Sequence, residues 1–259
     1  FYLILFIFLI YLFTYYRCTI MLDIKNVTKK FGSFTAVNNL NLHVKAGDFF
    51  GFLGQNGAGK TTTIKMISGL YNPTSGSILI DGFDIYKEPI KAKSLIGYIP
   101  DQPFIYEKLT GREFLFFSGG LYSIEKNKLK KKIDDIIEKL EIGDWVDKRT
   151  EEYSQGMKQR ITIASSLLHD PKLLVVDEPM VGLDPQSALI VKNILKEKAN
   201  NGAAVFMSTH SLNVAEEICT RIGIIKDGNM IFSDTTEVLE TIKGSDHHNL
   251  ESLFIHLTK

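Results

Sequence analysis

The residues best suited to chemistry form a glycine-rich stretch in the first quarter of the chain. The spacing G-x-x-x-x-G-K-T runs from Gly54 to Thr61, between the apolar run 49–53 and the helix-like segment 62–67. Glycines at this spacing let backbone N–H groups wrap around a polyphosphate at the positive end of a helix dipole. Lys60 would then reach the outer phosphates, and the Thr61 hydroxyl would ligate Mg²⁺. The match predicts a phosphate-binding loop rather than a glycine-rich turn with a chance lysine.

A pair of carboxylates follows an apolar run later in the chain. Asp177 and Glu178 come directly after the sequence KLLVV and before a proline. A carboxylate at a strand end beside a phosphate loop can hold Mg²⁺, usually through water, while its neighbour orients or deprotonates an attacking water. We therefore expect Asp177 to serve the metal and Glu178 to act as the general base.

A histidine is the third candidate for the same site. His210 follows the apolar run 203–207 after one serine and one threonine. A histidine taken alone is more often an ordinary core or surface residue. Its place at a strand end favours a role as a donor to the γ-phosphate.

Alternating and continuous apolar runs indicate the elements that hold these residues. The apolar positions alternate in segments 22–27 and 40–44, as in half-buried strands of an antiparallel sheet. Segments 172–176 and 203–207 are nearly pure apolar runs separated by a helical segment, 187–199, which is typical of a parallel sheet buried on both faces. Ligands of such sheets gather at the carboxyl ends of the strands. The phosphate loop, the carboxylates and the histidine are all expected at such ends, where they can converge.

Between the phosphate loop and the carboxylates the pattern becomes helical. Apolar residues recur at helical spacing within 110–147, with Lys and Glu on the opposite, solvated face. We expect a helical subdomain over about 104–150, with Trp145 packing at its end. A polar hinge bracketed by prolines, Asp101 and Gln102, precedes it.

Two aromatic residues near the phosphate loop allow two interpretations. Phe31 and Phe34 lie in the turn KKFGSFTAVNN. An aromatic side chain here either fills the core or stacks on a purine. The sequence alone favours core packing.

Composition excludes several classes of function. The 259 residues suffice for one large domain or two small ones, and 30 basic residues balance 30 acidic ones. This balance provides no electrostatic attraction to nucleic acid or to an anionic membrane surface, so no nucleic-acid partner is expected. Cys18 and Cys219 lack metal-ligand spacing and fit free thiols in a reducing cytoplasm.

Residues 1–16 are almost wholly Phe, Tyr, Leu and Ile. This run is shorter than the roughly 20 residues that cross a bilayer, and it lacks the basic flank and cleavage site of a signal peptide. An ordinary strand pattern starts at Met21. We hypothesise that residues 1–20 are an upstream spacer read in frame and not part of the native protein, with a real hydrophobic anchor as the alternative. Mass spectrometry of the native N-terminus separates the two.

From Met21 to about Phe232, the order of the motifs resembles that of the ATP-binding subunits of ABC transporters. The resemblance identifies GQNGAGKTT as the Walker A loop, LLVVDEP as the Walker B strand, MVGLDP as the D-loop, STH as the switch-histidine motif and YSQGMKQR as the signature. It also matches Phe31 to the aromatic that stacks on adenine. The nucleotide-binding residues implied in this way are Phe31, Gly54, Gln55, Asn56, Gly57, Ala58, Gly59, Lys60, Thr61, Thr62, Ser154, Gly156 and Asp184.

The fold implied by the resemblance is α/β. It consists of a P-loop NTPase core with a mostly parallel sheet, an antiparallel β subdomain and a helical insert. This ATPase domain would span 21–233 and be followed by a short C-terminal tail, 234–259.

One departure from the family pattern lies in the signature. Ser154 and Gly156 are present, but Gln155 and Met157 stand where the family has glycine and glutamine. A serine hydroxyl, backbone N–H groups and a helix N-terminus can still bind a γ-phosphate.

A second departure lies in the loop after LIGYIP. Asp101 stands where the family has a glutamine, and Gln102 comes one residue later. Either Gln102 reaches the metal and the attacking water, which we favour, or Asp101 takes over that role.

The function implied by the resemblance is binding and hydrolysis of ATP with Mg²⁺, at the cytoplasmic face of the cell membrane as a peripheral subunit. Two copies would sandwich the nucleotide, each signature contacting nucleotide held by the other copy, and a separate membrane permease would form the pore. The signature and the short tail favour export over import. The alternatives are a soluble ABC-type ATPase of assembly or repair and a non-hydrolysing regulatory module, against which the pair Asp177-Glu178 argues. A small-molecule kinase fits less well, because no acceptor-binding region is evident.

Overall fold

The computed structural model describes residues 20–236 together with Val238 and Phe254. The hydrophobic leader before residue 20 and most of the predicted tail lie outside these residues. No helix within the described part is both long enough and apolar enough to cross a membrane.

Strands and helices alternate along much of the described chain. The strands are β1 (Ile20–Phe31), β2 (Phe34–Lys45), β3 (Phe49–Leu53), β4 (Ser75–Ile80), β5 (Phe83–Asp84), β6 (Ile96–Ile99), β7 (Leu173–Asp177), β8 (Ala204–Thr209), β9 (Arg221–Lys226) and β10 (Asn229–Thr235). The helices are α1 (Lys60–Ile67), α2 (Pro89–Lys93), α3 (Gly111–Leu121), α4 (Lys126–Lys139), α5 (Gln155–Leu167), α6 (Pro185–Asn200) and α7 (Leu212–Ile218).

The central sheet has six strands in the order β10-β9-β3-β8-β7-β6. Neighbouring strands from β9 to β6 pair in parallel, and β10 closes an antiparallel hairpin with β9. Every residue of β3, β7 and β8 is buried. Burial on both faces explains the continuous apolar runs in the sequence and confirms the predicted parallel sheet.

A second, antiparallel sheet has four strands in the order β2-β1-β4-β5. In the β1–β2 pair, Leu22 lies opposite Val44 and Val27 lies opposite Leu40. These apolar positions are buried, so the predicted antiparallel pairing is confirmed.

Two hydrophobic clusters cover the two faces of the central sheet. Successive strand residues point to opposite faces, so Leu173 and Val175 of β7 join the cluster shared with the antiparallel sheet and α1. Leu174 and Val176 join the other cluster, which includes buried residues of α3–α7. The strands of the central sheet are thereby held between two packed layers.

The segment between β6 and β7 is helical, as the sequence pattern predicts. α3 begins with a capping box between Thr110 and Glu113. α4 buries the apolar face that contains Leu129 and Ile133. Trp145 packs edge-on against Tyr153, with ring centroids 4.9 Å apart.

Candidate nucleotide-binding site

The glycine-rich loop joins the buried strand β3 to the N-terminus of α1. Gly57 and Gly59 have φ of +83° and +109°, in the backbone region that side chains disfavour. A Cβ on Gly59 would lie 2.5 Å from the carbonyl oxygen of Ala36. Position 59 therefore accepts only glycine, and the loop can turn its backbone toward the cleft.

Lys60 is the first residue of α1 and is only 8% exposed. Its Nζ donates to the carbonyl oxygens of Gly54, at 2.7 Å, and Gln55, at 3.1 Å. Burial lowers the pKa of Lys60, and the carboxylates of Glu178 and Asp177 partly oppose this shift. The ammonium group is thus hydrogen-bonded to its own loop and interacts electrostatically with the two carboxylates.

Asp177 ends β7 and is 2% exposed. The β7–β8 register sets it opposite Ser208, whose hydroxyl donates to Oδ1. The other oxygen, Oδ2, is buried and has no hydrogen-bond partner among the described residues. Burial raises the pKa of Asp177, and Asp101 and Glu178 raise it further, whereas the nearby hydroxyls of Ser208 and Thr61 oppose this rise.

Glu178 and His210 meet where the adjacent strands β7 and β8 end. Nδ1 of His210 lies 2.9 Å from Oε1 of Glu178. The backbone N–H of Glu178 donates to the carbonyl oxygen of Ser208 at 3.2 Å. Glu178 has φ of +48°, which is uncommon outside glycine and clusters at functional sites.

These groups open onto one cleft with a cavity volume of about 420 Å³. Its lining combines the phosphate loop, the strand-end carboxylates and two residues of β2. The lining residues are Phe34, Ala36, Asn56, Gly57, Gly59, Lys60, Thr61, Thr62, Asp101, Asp177, Glu178 and His210. The predicted convergence of the loop, the carboxylates and the histidine is present.

The hinge residues after β6 differ in their relation to the cleft. Asp101 lines it, whereas Gln102 is not among the lining residues. The backbone N–H of Gln102 donates to Oδ1 of Asp101 at 2.8 Å. This geometry favours Asp101, the alternative that the sequence left second.

The aromatic residues of the β1–β2 turn are not core residues. Phe31 is 45% exposed and Phe34 is 61% exposed, so the expectation of core packing is wrong. Gly32, with φ of +60°, lies in the turn between the two side chains. Phe34 lines the cleft, while Phe31 packs edge-on against Tyr71 with Lys29 Nζ 4.9 Å from its ring centroid.

The signature and D-loop residues lie apart from this cleft. Ser154 is exposed and caps α5 by accepting a hydrogen bond from the backbone N–H of Met157. Asp184 caps α6 by accepting from the backbone N–H of Ser187 at 2.9 Å. The lining of the cleft does not include Ser154, Gly156 or Asp184.

Sequence reasoning missed some groups at the site. Ser208 holds Asp177, and Phe34 and Ala36 of β2 form part of the wall of the cleft. The only sequence signal for Ser208 was its place at the end of an apolar run, next to His210. The wall from β2 had no sequence signal of its own, since it depends on how the antiparallel sheet packs on the core.

A phosphate loop between a buried strand and a helix, with a buried aspartate at the end of a nearby parallel strand, defines a P-loop nucleoside-triphosphatase domain. Comparison with known proteins places the chain more closely. The family model described as ABC transporter matches residues 37–181. The chain is 40% identical to the linearmycin resistance ATP-binding protein LnrL of Bacillus subtilis over 226 residues, covering 87% of this chain and 73% of that protein.

Solved structures agree with this match. One, described as the ATP-binding subunit of an ABC transporter, has a TM-score of 0.86 at 29% identity and covers 92% of this chain and 100% of its own. Another is a dimeric ATP-binding cassette, MJ0796, in a post-hydrolysis state bound to ADP and Pi. It has a TM-score of 0.76 at 27% identity and covers 83% of this chain and 98% of its own.

The chain belongs to the ABC transporter family. It is an ATP-binding subunit that hydrolyses ATP to power transport, as the motif order predicted. The predicted α/β P-loop fold is confirmed as well. A soluble ATPase without a permease is not favoured by these relatives.

Proposed function

We propose that ATP is hydrolysed in this cleft with Glu178 as the general base and His210 as the residue that orients it. The observation that carries the proposal is the 2.9 Å contact between His210 Nδ1 and Glu178 Oε1 on the cleft wall. A general base must reach the water that it deprotonates, and Glu178 lies on the same cleft as the phosphate loop. In its imidazolium form, in which both ring nitrogens donate, His210 would hold the Glu178 carboxylate through Nδ1 and donate to the γ-phosphate through Nε2.

The loop residues would bind the phosphates of ATP. Backbone N–H groups of residues 56–62 would cradle them at the N-terminus of α1. Lys60 would exchange the carbonyl oxygens of Gly54 and Gln55 for phosphate oxygens, which restores charged partners to a buried ammonium group. Phe31 and Phe34 are the aromatic residues available to stack on adenine.

The cleft also fits Mg²⁺. The buried Oδ2 of Asp177 is an oxygen ligand in need of a partner, and the Thr61 hydroxyl lies on the same cleft. Asp177 and Thr61 would hold the ion, which would neutralise charge on the phosphate oxygens. Asp101 lines the cleft and Gln102 does not. Asp101, rather than Gln102, would therefore contact the metal and the attacking water.

The proposed active unit is a dimer. Ser154 is exposed at the N-terminus of α5 and lies off its own chain's cleft, which suits contact with nucleotide on a second copy. Gly156 and Asp184 would join that contact. The dimeric relative bound to ADP and Pi supports this arrangement.

The proposed membrane partner is a permease that docks on exposed aromatics beside the Asp101 hinge. Phe104 is 78% exposed, and Phe104, Tyr106 and Phe117 form edge-to-face pairs with ring centroids 5.9 and 5.3 Å apart. Exposed apolar patches of this kind mark interaction surfaces. The subunit would lie on the cytoplasmic face of the membrane, and the name of the linearmycin resistance relative supports export.

The general-base assignment is tested with Glu178→Gln. We expect this variant to bind ATP normally, while kcat falls about 10²–10⁴-fold because only proton transfer is lost. Glu197→Gln is the matched control, because Glu197 pairs with Lys139 outside the cleft and should leave kcat unchanged. Rapid turnover by Glu178→Gln, measured as phosphate release, would sink the assignment.

The permease assignment is tested by affinity purification from membranes. The protein should co-purify with a multi-span membrane protein, and a Phe104→Ala, Phe117→Ala variant should lose that partner while keeping ATP binding. Retention of the partner by this variant contradicts the docking surface.

A further inference from the structure

The N-terminus of α5 contacts the loop that follows Glu178 in the same chain. A Cβ on Gly182 would lie 2.9 Å from Cγ of Gln155 and 3.6 Å from its Cβ. A Cβ on Gly156 would lie 3.0 Å from the carbonyl oxygen of Gly182. Gly182 also has φ of +78°, so its conformation and its surroundings both require glycine. The methylene groups of Gln155 therefore pack beside Gly182, and both residues keep exposed surface.

The loop 178–184 is short and is held at both ends. The N–H of Val181 donates to the carbonyl oxygen of Glu178 at 3.2 Å, and the N–H of Leu183 donates to the carbonyl oxygen of Met180 at 3.3 Å. Asp184 anchors the far end as the cap of α6. Between these ends, Cβ and Cγ of Gln155 lie against Gly182, in the middle of the loop.

We propose that Gln155 is a positioning residue for Glu178. Its Cβ and Cγ groups pack on Gly182 and keep the loop in the conformation that places the Glu178 carboxylate on the cleft. This proposal rests on the proposed role of Glu178 as the base. The glutamine that replaces a glycine in the signature then acts within its own chain, through its methylene groups and not through its amide.

The test compares Gln155→Ala with Gln155→Met in the full chain. Alanine removes Cγ but keeps helix propensity at the start of α5, whereas methionine keeps both Cβ and Cγ. We expect Gln155→Ala to lower kcat on the order of tenfold, less than the roughly 10²-fold that a 1 Å misplacement can cost, with KM for ATP within about twofold. Gln155→Met should restore most of kcat. Equal losses in both variants, or a raised KM in Gln155→Met, would show that the amide contacts nucleotide and would overturn the proposal.

A double-mutant cycle tests the contact itself. Gly182→Ala alone places a Cβ against Cγ of Gln155, but once Gln155→Ala has removed that Cγ, the remaining Cβ at position 155 would be 3.6 Å away. Gly182→Ala should therefore cost less in the Gln155→Ala background, and strict additivity contradicts the contact. Gly202→Ala is the control for backbone strain, because Gly202 has φ of +93° and nothing within 4 Å.

Hydrogen exchange keeps this proposal separate from the proposed function. Amides of residues 178–184 should exchange faster in Gln155→Ala than in the wild type or Gln155→Met, whatever the fate of ATP. Unchanged exchange overturns the positioning role. If exchange is faster in Gln155→Ala but Glu178→Gln keeps the wild-type kcat, Gln155 does hold the loop and Glu178 is not the general base.

Discussion

The buried carboxylate of Asp177 leads to a prediction about stability. Asp177 is 2% exposed, and Asp101 and Glu178 face it with like charge. The hydroxyls of Ser208 and Thr61 and the ammonium group of Lys60 offset these penalties only in part. Asparagine would keep the bond from Ser208 through Oδ1 and remove the charge. In metal-free and nucleotide-free buffer, we expect Asp177→Asn to raise the free energy of unfolding by about 1–3 kcal/mol. For a domain of this size, each kcal/mol corresponds to about 2–4 °C in Tm.

The pH dependence of this effect has a definite sign. Burial and the two neighbouring carboxylates raise the pKa of Asp177 above its usual value of 3.8, so the folded protein takes up this proton before the unfolded chain does. The ionised form therefore destabilises the fold above the folded-state pKa, and the penalty is relieved as the pH falls through that pKa. The Tm difference between Asp177→Asn and the wild type should be largest at about pH 8 and should shrink on acidification.

Thermal denaturation with a chelator present measures the effect. Asp135→Asn is the control, because Asp135 is exposed and should change stability by less than about 0.5 kcal/mol. Added Mg²⁺ and ATP should stabilise the wild type strongly and Asp177→Asn little, because the variant lacks the proposed metal ligand. A Tm for Asp177→Asn equal to or below that of the wild type in mildly alkaline buffer without metal would refute the reasoning.

Further predictions concern the hinge, the loop and the buried thiol. Asp101→Ala should lower kcat for ATP hydrolysis at least about tenfold and Gln102→Ala should change it little, because Asp101 lines the cleft and Gln102 does not. The opposite result in a phosphate-release assay would assign the contact with the metal and the attacking water to Gln102. Gly59→Ala should abolish nucleotide binding, because its Cβ would clash with the carbonyl oxygen of Ala36, and normal binding in a fluorescence titration contradicts this. Burial raises the pKa of Cys219 to about 12, so maleimide at about pH 8 should modify it only in denaturant; rapid native labelling, located by peptide mass spectrometry, would be inconsistent with its burial.

Most of the secondary structure follows from local patterns in the sequence. Strands β7 and β8 and helix α6 agree with the apolar runs at 172–176 and 203–207 and with the helical segment predicted at 187–199. The phosphate loop was recognisable because its glycines meet a backbone requirement that appears directly as residue type. These features depend on residues that are close together in the chain, so the sequence alone is enough to predict them.

Contacts at the site were predictable only where the pattern implied a strand end. The rule for parallel sheets predicted that the phosphate loop, Asp177 and His210 would converge. It did not distinguish Asp101 from Gln102, because adjacent residues in a hinge differ only in the direction of their side chains. It also missed the hydroxyl of Ser208. Ser208 is 31 residues from Asp177 in the sequence and meets it only because the register of β7 and β8 places the two residues side by side.

The sequence by itself determined the class of chemistry, the order of the strands along the chain and the family to which the chain belongs. Only the tertiary structure decided that Phe34 lines the cleft, that Lys60 donates to the carbonyl oxygens of its own loop, and that Gln155 packs beside Gly182. The physical reason is that residue type and spacing encode local conformation and burial. Which side chains meet across a cleft depends on the packing of segments distant in sequence, such as α5 against the loop after β7.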